Sequence, residues 1–255
     1  MAHGFRHGSG GDLKKVPILD DTYPADVTVD EVGTSVTFEV AIAEAGTPAE
    51  YTYQWYYDNN PVSGANSVTY TRNADIGSHR VYCIVTNKAG FVTSRVATVT
   101  ASALYLYNVG DACTANSGGW SLTSNTGQQA MKLSKGSSYM TVSSSWTSNY
   151  TSHATCGTGK KVNVTGFSKL NVTYDFSATV TTQSGAGDAY ANLKFGLGTS
   201  DTSVSSASVS GSKGTSKTAS VDISSLNTSL YVVAKLNTYG KDGNINLKIR
   251  KVWLS

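Results

Sequence analysis

The stretches that decide the fold are Tyr53-Gln54-Trp55-Tyr56-Tyr57 and, beginning 27 positions after Trp55, Tyr82-Cys83-Ile84-Val85-Thr86. Both runs are rich in aromatic and β-branched residues, which is typical of strands half-buried in a sheet. Val36, Phe38 and Val40 alternate with polar residues and predict another strand earlier in the chain. Phe38, Trp55 and Cys83 are therefore predicted to lie in the core of a β-sheet module.

The spacing of Trp55 and Cys83 resembles that of the immunoglobulin-type sandwich, which places a Trp on its third strand and a Cys on its sixth. The run from Ser63 to Tyr70, SGANSVTY, also resembles a stretch common in bacterial and bacteriophage immunoglobulin-like modules. This resemblance implies an immunoglobulin-like domain over residues 23–102. The second strand has no Cys, so we expect Cys83 to pack as a small buried apolar group without a cross-link.

Residues 103–255 predict a second all-β domain, because apolar residues alternate along several segments and no helical period is visible. The alternation along Ile245, Leu247 and Ile249 shifts phase at Arg250-Lys251, which predicts a β-bulge. The tripeptide Asp242-Gly243-Asn244 predicts a hairpin turn between the last two strands. Cys113 and Cys156 could pair, but nothing in the sequence requires it.

Several segments of this second domain carry a further resemblance, among them Gly118-Gly119-Trp120 and Lys251-Val252-Trp253-Leu254. They resemble a β-sandwich of bacteriophage virion structural proteins of the Firmicutes type, a domain similar to carbohydrate-binding modules. The resemblance implies a jelly-roll-like sandwich over residues 103–255. The predicted fold is all-β: an extended arm, an immunoglobulin-like sandwich and a jelly-roll-like sandwich.

Residues 1–22 predict an extended N-terminal arm, because four glycines in its first half favour a flexible chain. Its start resembles small structural proteins of bacteriophage tails, which implies an anchor to the particle. Phe5, Arg6, Lys14 and Lys15 are the candidate anchor residues. The arm has no apolar core of signal-peptide length, so we expect assembly in a host cytoplasm and residence in the virion.

The charge is unevenly distributed along the chain. Residues 1–102 contain 7 Lys and Arg against 11 Asp and Glu, whereas residues 103–255 contain 13 against 6 and have no Glu. The net charges are therefore −4 and +7. A basic second domain suits anionic glycans, wall polymers or nucleic acid, and the scattered lysines equally suit an ordinary solvated surface.

The sequence favours binding over catalysis. His153 is the only His after residue 102, and no nucleophile-elbow pattern accompanies it. The few Asp residues of the second domain do not form an evident pair of the kind that a glycosidase needs. No Cys and His spacing indicates a metal site, and no motif indicates a cofactor. We therefore predict a protein that is not an enzyme and needs neither metal nor cofactor.

Aromatic residues in a Ser- and Thr-rich region are the candidates for sugar contact: Trp120, Tyr139, Trp146 and Tyr150. Exposed aromatic rings stack on sugars, while short polar groups bond the hydroxyls. The alternative is that the two Trp residues pack in the core, as large aromatic side chains commonly do.

The leading hypothesis is a non-enzymatic phage virion protein, tail-associated or capsid-decorating, whose arm binds other virion proteins and whose second domain adheres to host-surface carbohydrate. A homo-oligomer fits this hypothesis, because many copies make weak contacts add up. A specific nucleic acid or a membrane partner is not expected. The alternatives are a purely architectural decoration protein and a bacterial cell-surface carbohydrate-binding module.

Overall fold

The structure, a computed structural model, describes residues 13–108, 113–127, 130–147, 150–182 and 189–255, and for Tyr150 the backbone only. The chain divides into two compact units, residues 1–102 and 103–255. Both are built almost entirely of β-strands, which confirms the all-β prediction. The anchor candidates Phe5 and Arg6 lie outside the described residues.

The described part of the first unit is built from ten strands: β1 Ile18–Leu19, β2 Val27–Glu31, β3 Ser35–Glu39, β4 Ile42–Glu44, β5 Thr52–Tyr57, β6 Asn60–Pro61, β7 Thr69–Asn73, β8 Gly77–Asn87, β9 Gly90–Thr93 and β10 Ala97–Tyr107. Strand β8 pairs antiparallel with β5, β9 and residues 97–101 of β10. The hairpin strand β6 extends this sheet at β5, and β2 extends it at β10. Strand β3 pairs with β7, and β1 with β4.

The core of the first unit lies where aromatic side chains from different sheets meet. Trp55 on β5 is directly opposite Cys83 on β8, and both are fully buried. The Trp55 ring centroid is 5.8 Å from that of Tyr70 on β7, and Tyr70 in turn stacks on Phe38 of β3 at 6.4 Å. The Trp55 indole N–H donates to the carbonyl of Ser67 at 2.9 Å. Burial raises the pKa of the Cys83 thiol to about 11.

The predicted arm is too long at its C-terminal end. Lys15 and Thr47 exchange two backbone hydrogen bonds of 3.0 and 2.7 Å, and the Asn87 side chain donates to the Lys15 carbonyl at 2.8 Å. The chain from Lys15 onward is therefore part of the first unit, because strand β1 continues the same pairing. Lys15 also forms an ion pair with Glu44, and neighbouring Lys14 is exposed.

The described part of the second unit has one helical turn, α1 Thr114–Ser117, and eleven strands: β11 Trp120–Gly127, β12 Lys132–Lys135, β13 Met140–Trp146, β14 Tyr150–Thr158, β15 Val162–Asn163, β16 Lys169–Val180, β17 Tyr190–Gly198, β18 Ala207–Gly211, β19 Gly214–Asp222, β20 Ser229–Gly240 and β21 Gly243–Leu254. Sheet A has the order β12-β13-β21-β16-β19, with residues 104–107 of β10 also along β21. Sheet B has the order β11-β14-β20-β17-β18, and β15 also pairs with β20.

The two sheets of the second unit enclose an apolar core. Tyr174 of sheet A and Phe195 of sheet B are buried, with ring centroids 4.8 Å apart. Alternate residues of the central strands face inward, and Ile245, Leu247 and Ile249 are fully buried. The unit is a β-sandwich, as expected. Cys156, on β14, is also buried, which raises the pKa of its thiol to about 12.

Two local predictions for β21 have different outcomes. The predicted bulge is confirmed, because the register with β16 shifts at Arg250, between Ile249 and Lys251. The predicted hairpin at residues 242–244 is wrong, because β20 belongs to sheet B and β21 to sheet A. The connection bonds instead to Thr181, whose N–H donates to the Asp242 carbonyl and whose carbonyl accepts from the Lys241 N–H, each at 2.9 Å.

Candidate functional site

Trp120 and Trp146 are too deeply buried to contact a sugar, which corrects that prediction. Only 4% and 5% of these residues are exposed. The indole N–H of Trp120 donates to the Leu106 carbonyl at 3.0 Å. That of Trp146 donates to the Gly240 carbonyl at 3.2 Å. Both indoles therefore act as core side chains whose polar atom is satisfied by backbone, which is the alternative that the sequence left open.

Tyr139 is partly exposed, but a cation lies over its ring. The Lys248 ammonium is 4.5 Å from the ring centroid, and the Arg250 guanidinium is 5.9 Å away. The ring thus holds basic side chains by cation–π attraction and does not offer this face to a sugar. The side chain of Tyr150 lies outside the described residues, so that candidate stays a prediction.

The outward surface of sheet A gathers polar side chains that the sequence analysis did not single out. On β21 the buried Ile245, Leu247 and Ile249 alternate with outward-facing Asn246 and Lys248. Strands β12, β13 and β16 continue this pattern on either side of β21. We call the outward-facing side chains of these four strands the polar face.

A straight row of four side chains crosses the polar face. Lys132 of β12 is opposite Ser143 of β13. Asn246 of β21 is opposite Ser143 on one side and Ser177 of β16 on the other. Adjacent strands are about 4.8 Å apart, so this polar row spans roughly 14 Å. A linear ligand lying across the strands would meet a hydrogen-bonding group at each strand.

Two cavities adjoin along the polar row and share Asn246. The first, of about 350 Å³, is lined on β13 and β21 by Ser143, Ser145 and Asn244, and Lys132 stands at its edge. The second, of about 460 Å³, is lined by β16 and by the turn that carries Lys213. We call the two cavities together the groove, with Asn246, which lines both, between them.

Three polar side chains of the groove are free to bind a ligand. Among the described residues, Ser143, Ser177 and Asn246 make no side-chain hydrogen bond with another part of the protein, although Asn246 is only partly exposed. The neighbouring Ser144 hydroxyl and the Lys213 ammonium, in contrast, donate to the carbonyls of Ala130 and Ala178. An amide offers two donors and an acceptor, and each hydroxyl offers both functions. Such groups match the hydroxyls of a sugar, which both donate and accept.

Asp175 is the only carboxylate among the described residues that line the groove, and it is occupied. Its carboxylate accepts hydrogen bonds from the Arg250 guanidinium, at 2.5 Å for the shorter, and from the Ser216 N–H at 2.7 Å. The Arg250 hydrogen bond, followed by that of Ser216, lowers the pKa of Asp175. A carboxyl that is so readily ionised is a poor general acid at neutral pH.

No catalytic or metal site emerges from the described residues. Among its described lining residues, the groove brings together no second carboxyl to work with Asp175. His153 lies on β14, and its Nδ1 is 2.9 Å from the Asn237 side-chain oxygen. Within the described ranges no three His, Cys, Asp or Glu side chains cluster as metal ligands, and no helix could cross a membrane.

Comparison with known proteins assigns the chain to no family. No protein-family model matches the sequence, and no curated protein matches it significantly. A solved structure described under carbohydrate-binding modules of the β-sandwich superfamily is 15% identical over 95% of this chain and 99% of its own, with a TM-score of 0.33. A glucan-utilization protein of Bacteroides ovatus, SGBP-B, solved with a mixed-linkage heptasaccharide, is 8% identical over 94% and 99%, with a TM-score of 0.27.

A third solved structure overlaps with part of the chain. The glycoside hydrolase domain of Endo-D from Streptococcus pneumoniae R6 is 14% identical over 51% of this chain and 21% of its own, with a TM-score of 0.37. Overlaps at TM-scores below 0.5 carry no argument about function.

Proposed function

We propose that the second unit is a non-catalytic glycan-binding module whose site is the groove on the polar face of sheet A. One observation carries the proposal: among the described residues that line the cavities, the side chains of Ser143, Asn246 and Ser177 are occupied by no internal hydrogen bond. These groups project from paired strands, so their spacing is fixed before a ligand arrives. A preorganised site loses less conformational entropy on binding.

The chemistry of the groove favours binding without turnover. Hydrolysis of a glycosidic bond needs an acid and a second carboxylate on either side of the bond. Asp175 is held as an ionised partner of Arg250 and has no carboxylate partner among the described lining residues. A chain of sugars would therefore be held and released intact.

The proposal extends to the first unit as an immunoglobulin-like spacer. Its support is the direct pairing of Trp55 with Cys83, together with the meeting of Trp55 and Tyr70 between sheets. A rigid sandwich that carries a binding module suits display of that module.

The most specific part of the proposal is that the protein is located in the virion, where the residues before Lys15 anchor it to other virion proteins. Its support is the sequence resemblance and the exposure of Lys14. Mass spectrometry of purified particles from a culture that makes this protein should detect the chain. Particles that lack it would refute this part and leave the glycan site unaffected.

The glycan site is tested with Asn246→Ala on a glycan array and by calorimetry. Removing the central amide should weaken binding about five-fold, because a hydrogen bond contributes about 1 kcal/mol. The matched control is Asn192→Ala, which removes an exposed Asn from β17 of sheet B and should bind as wild type does. An array with no signal, or equal binding by Asn246→Ala and wild type, would contradict the proposal. A silent array beside normal particle attachment would favour an architectural decoration protein.

A further inference from the structure

Three lysines surround the groove, and two of them are held in place by the protein. Lys132 lies at one end of the polar row, on the same side of the sheet as Ser143. Lys248 lies beside the centre, with its ammonium over the Tyr139 ring. Lys213 lies beyond Ser177, and its ammonium donates to the Ala178 carbonyl at 2.7 Å.

Among the described residues that line the groove, the positive charge of these lysines is not cancelled. Lys248 faces Asp175 across the sheet, but that carboxylate is already bonded to Arg250. The lining residues of the two cavities include Lys132, Lys213 and Lys248 and no other acidic side chain. The groove therefore has a net positive potential, which attracts an anionic ligand and raises its rate of association.

We infer that the ligand is an acidic glycan: a hydroxyl-bearing chain with repeated carboxylate or phosphate groups, lying along the polar row. This inference rests on the proposed function and adds the charge of the ligand. The hydroxyls bind the serines and Asn246, while the anionic groups bind the lysines at each end. Both kinds of group are needed to fill the groove.

Nucleic acid is the other polyanion that a basic surface attracts, and the groove suits it less. Single-stranded nucleic acid binds largely by stacking its bases on aromatic rings. Among the described residues that line the two cavities, the buried Phe176 is the only aromatic one. Tyr139 is not among these lining residues, and the Lys248 ammonium lies over its ring.

The test compares binding of the full chain to hexagalacturonate and to the same hexasaccharide with its carboxyls reduced to alcohols. A poly(glycerol phosphate) oligomer distinguishes phosphate from carboxylate as the anionic group, and an oligothymidylate of similar length tests nucleic acid. We expect at least one of the two acidic oligomers to bind at least ten-fold more tightly than the reduced oligomer. That affinity should fall several-fold as the salt concentration is raised from about 50 to about 500 mM, because added salt screens the attraction between exposed charges.

Two variants of equal charge locate the site. The triple variant Lys132→Gln, Lys213→Gln, Lys248→Gln should lose about ten-fold in affinity for the acidic oligomer. The matched triple variant Lys161→Gln, Lys194→Gln, Lys235→Gln, which removes the same charge from residues outside the groove, should bind nearly as wild type does. Equal losses of affinity in the two triple variants would show that the acidic oligomer does not bind in the groove.

The possible failures are distinguishable. Equal binding of the reduced and acidic oligomers, or array binding of neutral glycans alone, would overturn the charge of the ligand and leave the glycan-binding function standing. Oligothymidylate binding as tight as that of the acidic oligomers would overturn the inference in favour of nucleic acid. Absence of binding to every glycan on the array would overturn the proposed function itself.

Discussion

The Nδ1 atom of His79 lies 2.7 Å from a carboxylate oxygen of Asp58. Its other ring nitrogen is 2.9 Å from the carbonyl oxygen of Ile76. A neutral imidazole has only one N–H, so only the cation can donate to both acceptors. Burial pushes the pKa of His79 down, but the hydrogen bonds to Asp58 and Ile76 outweigh it, and the pKa of His79 is raised.

The raised pKa predicts how the stability of the first unit depends on pH. The contribution of His79 is complete below its pKa in the unfolded chain, about 6.5, and is lost as pH rises through the higher folded value. Thermal unfolding from about pH 5 to 9 should show wild type losing stability relative to His79→Gln. The control His153→Gln alters the second unit and should leave the pH profile of the first unit as in wild type. Parallel pH profiles for wild type and His79→Gln would contradict the assignment.

Trp55→Ala should destabilise the first unit by about 3–5 kcal/mol. The side chain is fully buried, and its loss also leaves the Ser67 carbonyl without its indole donor. Urea unfolding followed by fluorescence of the remaining Trp residues and by circular dichroism would separate the two units. Unfolding of the second unit should be unchanged, and an unchanged first transition would show that Trp55 does not hold the core.

Gly243→Ala should destabilise the second unit by about 1–3 kcal/mol, as overpacking does. Gly243 is opposite Trp146, and a Cβ atom at residue 243 would lie 2.1 Å from the indole ring. Gly136→Ala is the matched control, because its Cβ would meet nothing closer than the Tyr139 carbonyl at 3.4 Å. Thermal unfolding of the two variants should differ clearly. Equal stability would mean that the indole moves away without cost.

Asp175→Asn should lower stability by about 1 kcal/mol at neutral pH, because Arg250 loses a charged partner. The pKa of Asp175 is lowered, so its contribution is present above about pH 4 and is lost as pH falls through the folded pKa. Wild type and variant should therefore converge in acid. The control Asp242→Asn, in the turn before β21, should show no such difference. Stability curves that stay apart in acid would exclude the ion pair as the cause.

Strands β16, β17 and β21 of the second unit were predictable because apolar and polar residues alternate over much of their length. The bulge at Arg250 was predictable for the same reason, since a bulge shifts that alternation by one residue. Strands β11, β12 and β14 lack a sustained alternation and were not predicted. The sequence predicted a turn at residues 242–244, but not that this turn would lead from sheet B to sheet A. A local sequence specifies a change of direction, whereas the strands on either side decide whether the chain stays in one sheet.

The candidate site was not predictable, because its members are ordinary residues that only the register brings together. Ser143, Ser177 and Asn246 are separated by long stretches of sequence and meet through two strand pairings. The burial of Trp146 likewise depends on Gly240 and Gly243, far along the chain. A Ser- and Thr-rich sequence around an aromatic residue indicates that its side chain is exposed only if strands distant in the sequence do not cover that side chain.

Strand β21 has neighbours on both of its edges, β13 and β16, and both are synthesised well before it. During synthesis, β13 and β16 therefore emerge from the ribosome before β21 and cannot complete sheet A until residues 243–254 have also emerged. Closure of such long loops is slow, so we expect this unit to fold late and slowly. That delay is the period in which a chaperone would protect it from aggregation.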